Sequence, residues 1–593
     1  MGLILTIGAA FRLYGLNWDG GQWLHPDERQ IYFLVNRLNW PRSLAEAWSP
    51  DSPLNPHFFA YGSLPLYLLK LVAALVGILI PALRHPDNLH WVGRPLAAIF
   101  DLGTVYLTYR LARDLAREEG GVGTGGYLPL LAATLVSLAV LHVQQAHFYT
   151  VDPLLTFFVM FTLNLAMDVA QGGGLGRRIG LGAAFGMALA TKVSALPLVL
   201  TVYVADQVQD QAFSFRSPLP TSKFVRILGT LGVAMVVFFF TQPYVLIDWQ
   251  MFLDHTLREA QIAQGTLDTP YTLQYAGTLP FLYSMWQTAL WGLGMPVGLI
   301  AWAGFAALVI RWVRHGCRTD MLLLSWTGPS FLIVGLLHAR YLRYMLPLVP
   351  ILCVAAVQWL ETLRDYTFRQ HRRLLSRGTH LPGMDVYQRV WTVLYLLLPV
   401  ASLGYALLFA SMYAVPHSLI TASEWIYHHI PAGSALAMEH WDVALPLPLD
   451  MEGVSRRIEQ YHVRVLPFYD EPDNLLKWQS LASDLAASEY LILSSRRLYG
   501  SISRNPDRYP ITSRYYARLF AGDLGFEWVA EFIRGPAWLN PRAFPLPDAA
   551  LPLFLPDESF VVYDHPRVLI FRNTDHLSAE ELIYRSSTRR QTP

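Results

Sequence analysis

The chain has 593 residues, of which 53% are hydrophobic and only 15% charged. Soluble globular chains carry about 25% charged residues, so the deficit argues against an ordinary soluble enzyme and points to a polytopic membrane protein. A net charge of +1 offers nothing to attract nucleic acid, and the two cysteines, Cys317 and Cys353, imply no disulfide framework.

Residues 1–16 have no basic leader and no small-residue cleavage site, and they read as a first span. At about 1.5 Å per residue this segment covers only about 24 Å, against a hydrocarbon core of about 30 Å. The shortfall predicts a first helix that starts upstream of Met1. Directly after it comes Leu24-His25-Pro26-Asp27-Glu28-Arg29-Gln30. Two adjacent carboxylates just beyond a span are costly in lipid, so Asp27 and Glu28 predict a polar, catalytic site. Pro26 suits a helix start, and Ile31, Leu34, Val35 and Leu38 follow at helical spacing. Simple capping by first-turn acids is the competing reading.

Residues 55–65 mix His57 and Tyr61 with further aromatic groups, as a lipid-linked substrate groove or an interfacial aromatic belt would. The stretch 61–83 is long enough to span, but a crossing there would separate Asp27 from Asp152. Pro65 and Pro81 instead predict a bent, non-crossing helix pair. Gln144, His147, Tyr149 and Asp152 gather ahead of an apolar run, with Asp152 either a second site carboxylate or a helix cap. Residues 179–207 lie between basic loops and predict two short helices broken near Lys192.

Asp254, His255, Arg258 and Glu259 share one predicted helix. His255 and Glu259 lie on one face and, with Asp27 or Asp152, are candidate ligands for a divalent cation; a salt-bridged surface helix is the simpler reading. Arg94, Lys192, Arg340 and Arg343, with Arg12 a weaker case, are cations at predicted membrane ends, and Tyr344 adjoins Arg343. Such groups either snorkel to lipid phosphates or neutralise a phosphate leaving group.

Cytoplasmic loops carry the excess of Lys and Arg. Five basic loops qualify: Arg110 to Arg117, Arg177 with Arg178, Lys223 with Arg226, Arg311 to Arg318, and Arg364 to Arg389. Placing all five inside predicts about 11 spans, and puts Asp27, Asp152, the 248–279 loop, Arg340 and the C-terminal region outside. Residues 1–413 are then a transmembrane catalytic domain. Residues 414–593 are an extracytoplasmic α/β or α+β domain, with a helix at 424–430 and strands at 434–438, 490–494, 560–563 and 568–571, the last two as a hairpin. Gly121 to Gly126 matches a dinucleotide-loop spelling but follows a membrane helix rather than a strand. Glu439-His440-Trp441-Asp442 follows a predicted strand and reads either as a substrate contact or, more simply, as a structural cluster.

Several motifs together resemble the GT-C superfamily of polytopic glycosyltransferases, in the branch of bacterial relatives of protein O-mannosyltransferases and lipid A aminoarabinose transferases. They are Phe11-Arg12-Leu13-Tyr14-Gly15-Leu16, Asp27-Glu28, residues 55–68, Gly93-Arg94-Pro95-Leu96, Asp152-Pro153-Leu154-Leu155-Thr156-Phe157-Phe158, Thr191-Lys192 and Arg343-Tyr344-Met345-Leu346-Pro347. The resemblance implies a polyprenyl-phosphate sugar donor and a protein, lipid or glycan hydroxyl as acceptor, with inverting transfer of a hexose or pentose at the outer face of the plasma membrane. It also implies Asp27 as base, Asp152 as the acid of a second outer loop, and His255 as a possible metal position. The acidic–Lys pair that aminoarabinose transferases carry before the Pro following the first loop is absent from residues 59–65, which puts that sugar in doubt. The rivals are a transporter or lipid-linked sugar flippase, and an oligosaccharide ligase using a pyrophosphate carrier.

Overall fold

A computed structural model describes residues 1–118, 126–209, 221–376, 383–540 and 554–588. Gly121 to Gly125 of the glycine motif, and Arg377 of the last basic loop, lie outside the described residues. The chain forms two compact units. One comprises Met1–Asn17, His25–Ala260 and Pro280–Leu407; the other comprises Trp18–Leu24, Gln261–Leu279 and Leu408–Pro593.

The regular structure of the first unit is helical. Its elements include α1 (Gly2–Leu13), α2 (Pro26–Arg37), α3 (Leu64–Leu79), α4 (His90–Glu118), α5 (Leu128–Ser137), α6 (Val140–Ala146), α7 (Val151–Ala170), α8 (Leu175–Thr191), α9 (Leu198–Val208), α10 (Thr221–Thr241) and most of α11 (Trp249–Gln264). Among the described residues six stretches, Val151–Ala170, Thr221–Thr241, Met295–His315, Arg318–Leu336, Leu342–Ser376 and Met384–His429, are long and apolar enough to cross a membrane by length and composition. Shorter apolar helices include α1, α3 and α5.

Helix α7 is 20 residues long, about 30 Å, the thickness of a bilayer core. Asp152 lies in its first turn. Near its far end Asp168 accepts both bonds from Arg110 Nη2 of α4, at 2.7 and 2.6 Å, and pairs with Arg177 of α8 at 3.0 Å. Arg178 of α8 pairs with Asp206 of α9 beside them. The four helices α4, α7, α8 and α9 are therefore tied by ion pairs at one end. Asp152 sits about 24 Å away along α7, where Arg94, near the start of α4, and Lys192, just past α8, also lie.

Two expectations resolve differently. The predicted break near Lys192 is present: Lys192 is extended (φ −160°, ψ 129°), a 3-10 turn spans Val193–Ala195, and α9 begins after Pro197. The helix pair predicted over 61–83 is instead one helix, α3, followed by 3-10 turns at Pro81–Arg84 and Pro86–Asn88. Each turn opens on a proline, which has no N–H to extend the preceding helix.

The second unit holds a five-stranded mixed sheet of order β4-β1-β5-β7-β6, from β1 (Ala435–Glu439), β4 (His462–Leu466), β5 (Tyr490–Leu493), β6 (Phe526–Phe532) and β7 (Val568–Asn573), with β2 (Leu449–Met451) and β3 (Val454–Arg456) as a separate ribbon. Strands β4, β1 and β5 run parallel; β7 is antiparallel to both β5 and β6. The helix Leu475–Ala486 covers one face, burying Trp478, Leu481 and Leu485 against Phe468 and Tyr515. The predicted 560–563 strand is overturned. Residues Glu558–Val561 form a helical turn capped by Asp557, which accepts the Ser559 N–H at 2.9 Å, and β7 pairs with β5 and β6 instead. A local cap outcompetes the strand pattern because it satisfies backbone N–H groups without a partner strand.

Candidate functional site

The acidic doublet is split by helix geometry. Successive residues on a helix point about 100° apart, so Asp27 and Glu28 face different surroundings. Glu28 is fully buried. Its Oε1 accepts from Tyr32 Oη at 2.8 Å, the Tyr149 N–H at 2.9 Å and Arg94 Nε at 3.0 Å, and its Oε2 accepts from Arg94 Nη2 at 2.7 Å. Arg94, equally buried, also donates from Nη1 to the Leu16 carbonyl at 2.7 Å. Gly93 makes this approach possible, since a Cβ there would lie 2.9 Å from Tyr149 Cβ. The Tyr149 hydroxyl continues the network to the Pro65 carbonyl at 2.8 Å. Neither Glu28, expected as a catalytic acid, nor Arg94, expected at a phosphate, reaches solvent, and the two form a clamp. It joins α2, α4 and the segment ahead of α7.

Asp27 turns to the partly open side. It accepts from Arg343 Nη1, and the Tyr61 hydroxyl is also hydrogen-bonded to it. Arg343 Nε stands 4.0 Å from Asp152 Oδ2, and Lys192 Nζ donates to Asp152 Oδ1 at 3.0 Å. The Tyr344 ring lies 4.8 Å from Lys192 Nζ, and the Tyr341 ring 5.1 Å from the Arg343 guanidinium. Six of the residues singled out from the sequence therefore converge: Asp27, Tyr61, Asp152, Lys192, Arg343 and Tyr344. Two carboxylates face two cations, with side chains of Asp27, Arg343 and Lys192 retaining 21%, 15% and 21% exposure.

Local structure explains the convergence. Asp152 sits in the first turn of α7, where the helix dipole favours an anion. Arg343 and Tyr344 lie on the 3-10 segment Leu342–Leu348. Tyr61 is brought to Lys192 because the Gly62 N–H donates to the Thr191 carbonyl at 3.0 Å, where α8 ends; a Cβ on Gly62 would lie 1.8 Å from the Ala190 carbonyl oxygen. Burial disfavours the Asp27 carboxylate, but the charges of Arg343 and His25 and the bonds from Tyr61 and Arg343 outweigh it, holding the group at about 2.

The remaining candidates lie elsewhere or have other partners. His57 adopts a left-handed backbone (φ 48°) and stands 3.6 Å from Asp248, with its side chain 47% exposed. His255 Nδ1 accepts the Phe59 N–H at 3.1 Å, which leaves the neutral ring's proton on Nε2. Among the described residues no three His, Cys, Asp or Glu side chains gather as metal ligands. Arg340 is buried just ahead of the 3-10 segment. Arg12 belongs to a separate, fully buried triad, with Arg12 Nε and His142 Nδ1 each 2.6 Å from an Asp101 carboxylate oxygen. In the second unit Glu439 is buried against the Tyr516 hydroxyl, and Asp442 accepts from Ser495. Glu259, read from the sequence with His255 as a candidate cation ligand, lies close to these charges. Glu259 feels the charges of Lys192, Asp27 and Arg343, and its carboxyl is raised first by burial and then by Asp27.

Two measurements check this geometry. Replacing one partner of the clamp, by Glu28→Gln or Arg94→Met, strands a buried group and is expected to cost about 3–5 kcal/mol. The double variant recovers part of that loss, read as the detergent-solubilised unfolding midpoint. Asp27 titrates below its ordinary 3.8, so its contribution to stability is complete above that value and is lost as pH falls toward about 2. The difference in melting temperature between the native chain and Asp27→Asn therefore closes over that window; a difference independent of pH contradicts the ion pair.

No family model and no curated protein matches the chain. Solved structures do. The archaeal oligosaccharyltransferase AglB from Archaeoglobus fulgidus, in complex with an inhibitory peptide and a dolichol-phosphate, aligns with 89% of this chain and 73% of its own at 12% identity, with a TM-score of 0.46. ArnT from Cupriavidus metallidurans in the apo state aligns over 89% of this chain and 96% of its own, at 13% identity and a TM-score of 0.44. The same ArnT bound to undecaprenyl phosphate aligns over 97% and 98%, at 14% identity and a TM-score of 0.42.

Proposed function

We propose that the chain is an inverting membrane glycosyltransferase that moves one sugar from a polyprenyl-phosphate carrier to an acceptor hydroxyl. The observation that carries this reading is the meeting of Asp27 and Asp152 with Arg343 and Lys192 at one end of the helical unit. The acceptor oxygen attacks the anomeric carbon as the bond from that carbon to the phosphate oxygen breaks. The acceptor proton passes to the Asp27 carboxylate, and the electron pair leaves with the phosphate. A positioned base contributes about 10²–10⁴-fold. Arg343 and Lys192 take up the phosphate charge, as preorganised cations do most effectively where water is scarce. Asp152 acts as a positioning residue that holds Lys192, and the clamp of Glu28 and Arg94 positions both acids. Tyr61 and Tyr344 offer aromatic walls for the carrier or the sugar. His57, Arg340 and a divalent cation at His255 carry no step in this scheme.

The same reading sets the topology. The ion-paired end with Arg110, Arg177 and Arg178 belongs to basic loops and is assigned to the cytoplasm. The site then faces the non-cytoplasmic side of the cell membrane, with about 11 spans in a GT-C-like domain over residues 1–413 and an extracytoplasmic domain over 414–593. The charged groups stand at helix ends rather than near the middle of a span, which favours an enzyme over a transport pathway lined at mid-membrane.

The test is sugar transfer in purified membranes supplied with a labelled polyprenyl-phosphate sugar. Asp27→Asn is expected to lose about 10²–10⁴-fold in rate, with inverted anomeric configuration in the native product. Turnover by the variant near the native rate removes Asp27 from the base role. Flipping of the carrier in proteoliposomes without transfer overturns the enzyme reading.

A further inference from the structure

Both cations of the site have carboxylate partners. Arg343 holds Asp27, and Lys192 holds Asp152 at 3.0 Å, so the four groups balance in charge. An incoming phosphodiester brings a negative charge to a place that has no uncommitted cation among these four. The same bond from Arg343 makes Asp27 a poor proton acceptor. The group meant to receive a proton and the group meant to receive a phosphate thus occupy each other.

We propose that Arg343 is a latch on Asp27 which the donor's phosphate opens, an inference that rests on the transfer reading above. A phosphate in the site takes the Arg343 guanidinium from Asp27, and the freed carboxylate then becomes the base for the acceptor. The geometry suits such a hand-over. The guanidinium lies over the Tyr341 ring, at 5.1 Å, so it has an aromatic face to slide along as its hydrogen-bond partner changes. Its Nε stands 4.0 Å from Asp152 Oδ2, so the second acid lies beside the guanidinium as well. Lys192 keeps Asp152 throughout. Tyr61 remains bonded to Asp27 after Arg343 leaves and keeps the carboxylate oriented. Acceptor activation therefore waits for the donor, and departure of the polyprenyl phosphate product resets the latch.

A ligand that must first displace an internal partner binds more weakly by the fraction of sites that are open. The test measures binding of farnesyl phosphate, a fifteen-carbon polyprenyl phosphate, to the full-length protein in detergent, with farnesol and inorganic phosphate alongside. Asp27→Asn and Asp27→Ala are expected to bind farnesyl phosphate about tenfold more tightly than the native chain; the two variants together guard against a folding defect in either. Glu259→Gln removes a charge from the same neighbourhood without touching the latch and is expected to change binding by less than about threefold. Unchanged affinity in both Asp27 variants, or equal tightening in Glu259→Gln, overturns the latch. Loss of transfer in Asp27→Asn with unchanged phosphate affinity overturns the latch and leaves the transfer reading standing. Failure of the native chain to bind farnesyl phosphate overturns both. Tighter binding of inorganic phosphate by the Asp27 variants supports a latch that senses the phosphate alone; tightening confined to farnesyl phosphate supports one that also needs the lipid.

Discussion

The buried pair of Glu28 and Arg94 is the constraint on which the site depends. A carboxylate with no exposure must find donors inside the protein or cost several kcal/mol. Glu28 finds four: two from Arg94, the Tyr32 hydroxyl and the Tyr149 N–H. Meeting that requirement fixes the rotation of α2 and brings the segment ahead of α7 against it. Asp27 is then turned toward Arg343, and Asp152 is delivered three residues after Tyr149. Charge pairs of this kind add little net stability compared with apolar packing; here the pair specifies which way the neighbouring acid faces.

Three of the charged groups in the helical unit differ in exposure and partners. The triad of Arg12, Asp101 and His142 is closed to solvent and ties α1 to α4 and α6. The pairs around Asp168 and Asp206 fasten the other ends of α4, α7, α8 and α9. Asp27, Lys192 and Arg343 alone among these combine opposite charges with partial exposure and aromatic neighbours. Partial exposure matters because a ligand can reach the charges. Partial burial matters because those charges act at lower dielectric than in bulk water.

Much of the local structure was legible in the sequence. The start of α2 at Pro26, the break at Lys192 and strands β1 and β5 fall within a residue or two of their expected positions. Each depends on neighbours within one or two turns: a proline, a capping group, or an apolar period. Phe560-Val561-Val562-Tyr563 is an apolar, strand-prone run, but the deciding cap, Asp557, lies just before it and starts a helical turn at 558–561. The helix pair expected over 61–83 is one helix and two 3-10 turns, a division its prolines alone do not specify.

What the sequence determined by itself was therefore a membrane-like helical chain, a C-terminal region with a sheet, and a short roster of charged residues at helix ends. Only the tertiary structure decided which of those charges meet. Arg343 lies 316 residues from Asp27, and Arg94 lies 66 from Glu28. Adjacent letters, Asp27 and Glu28, went to opposite tasks because a helix turns them apart. Pairing at such separations is set by packing and by the cost of leaving a buried charge unmatched, and neither is written in local spacing.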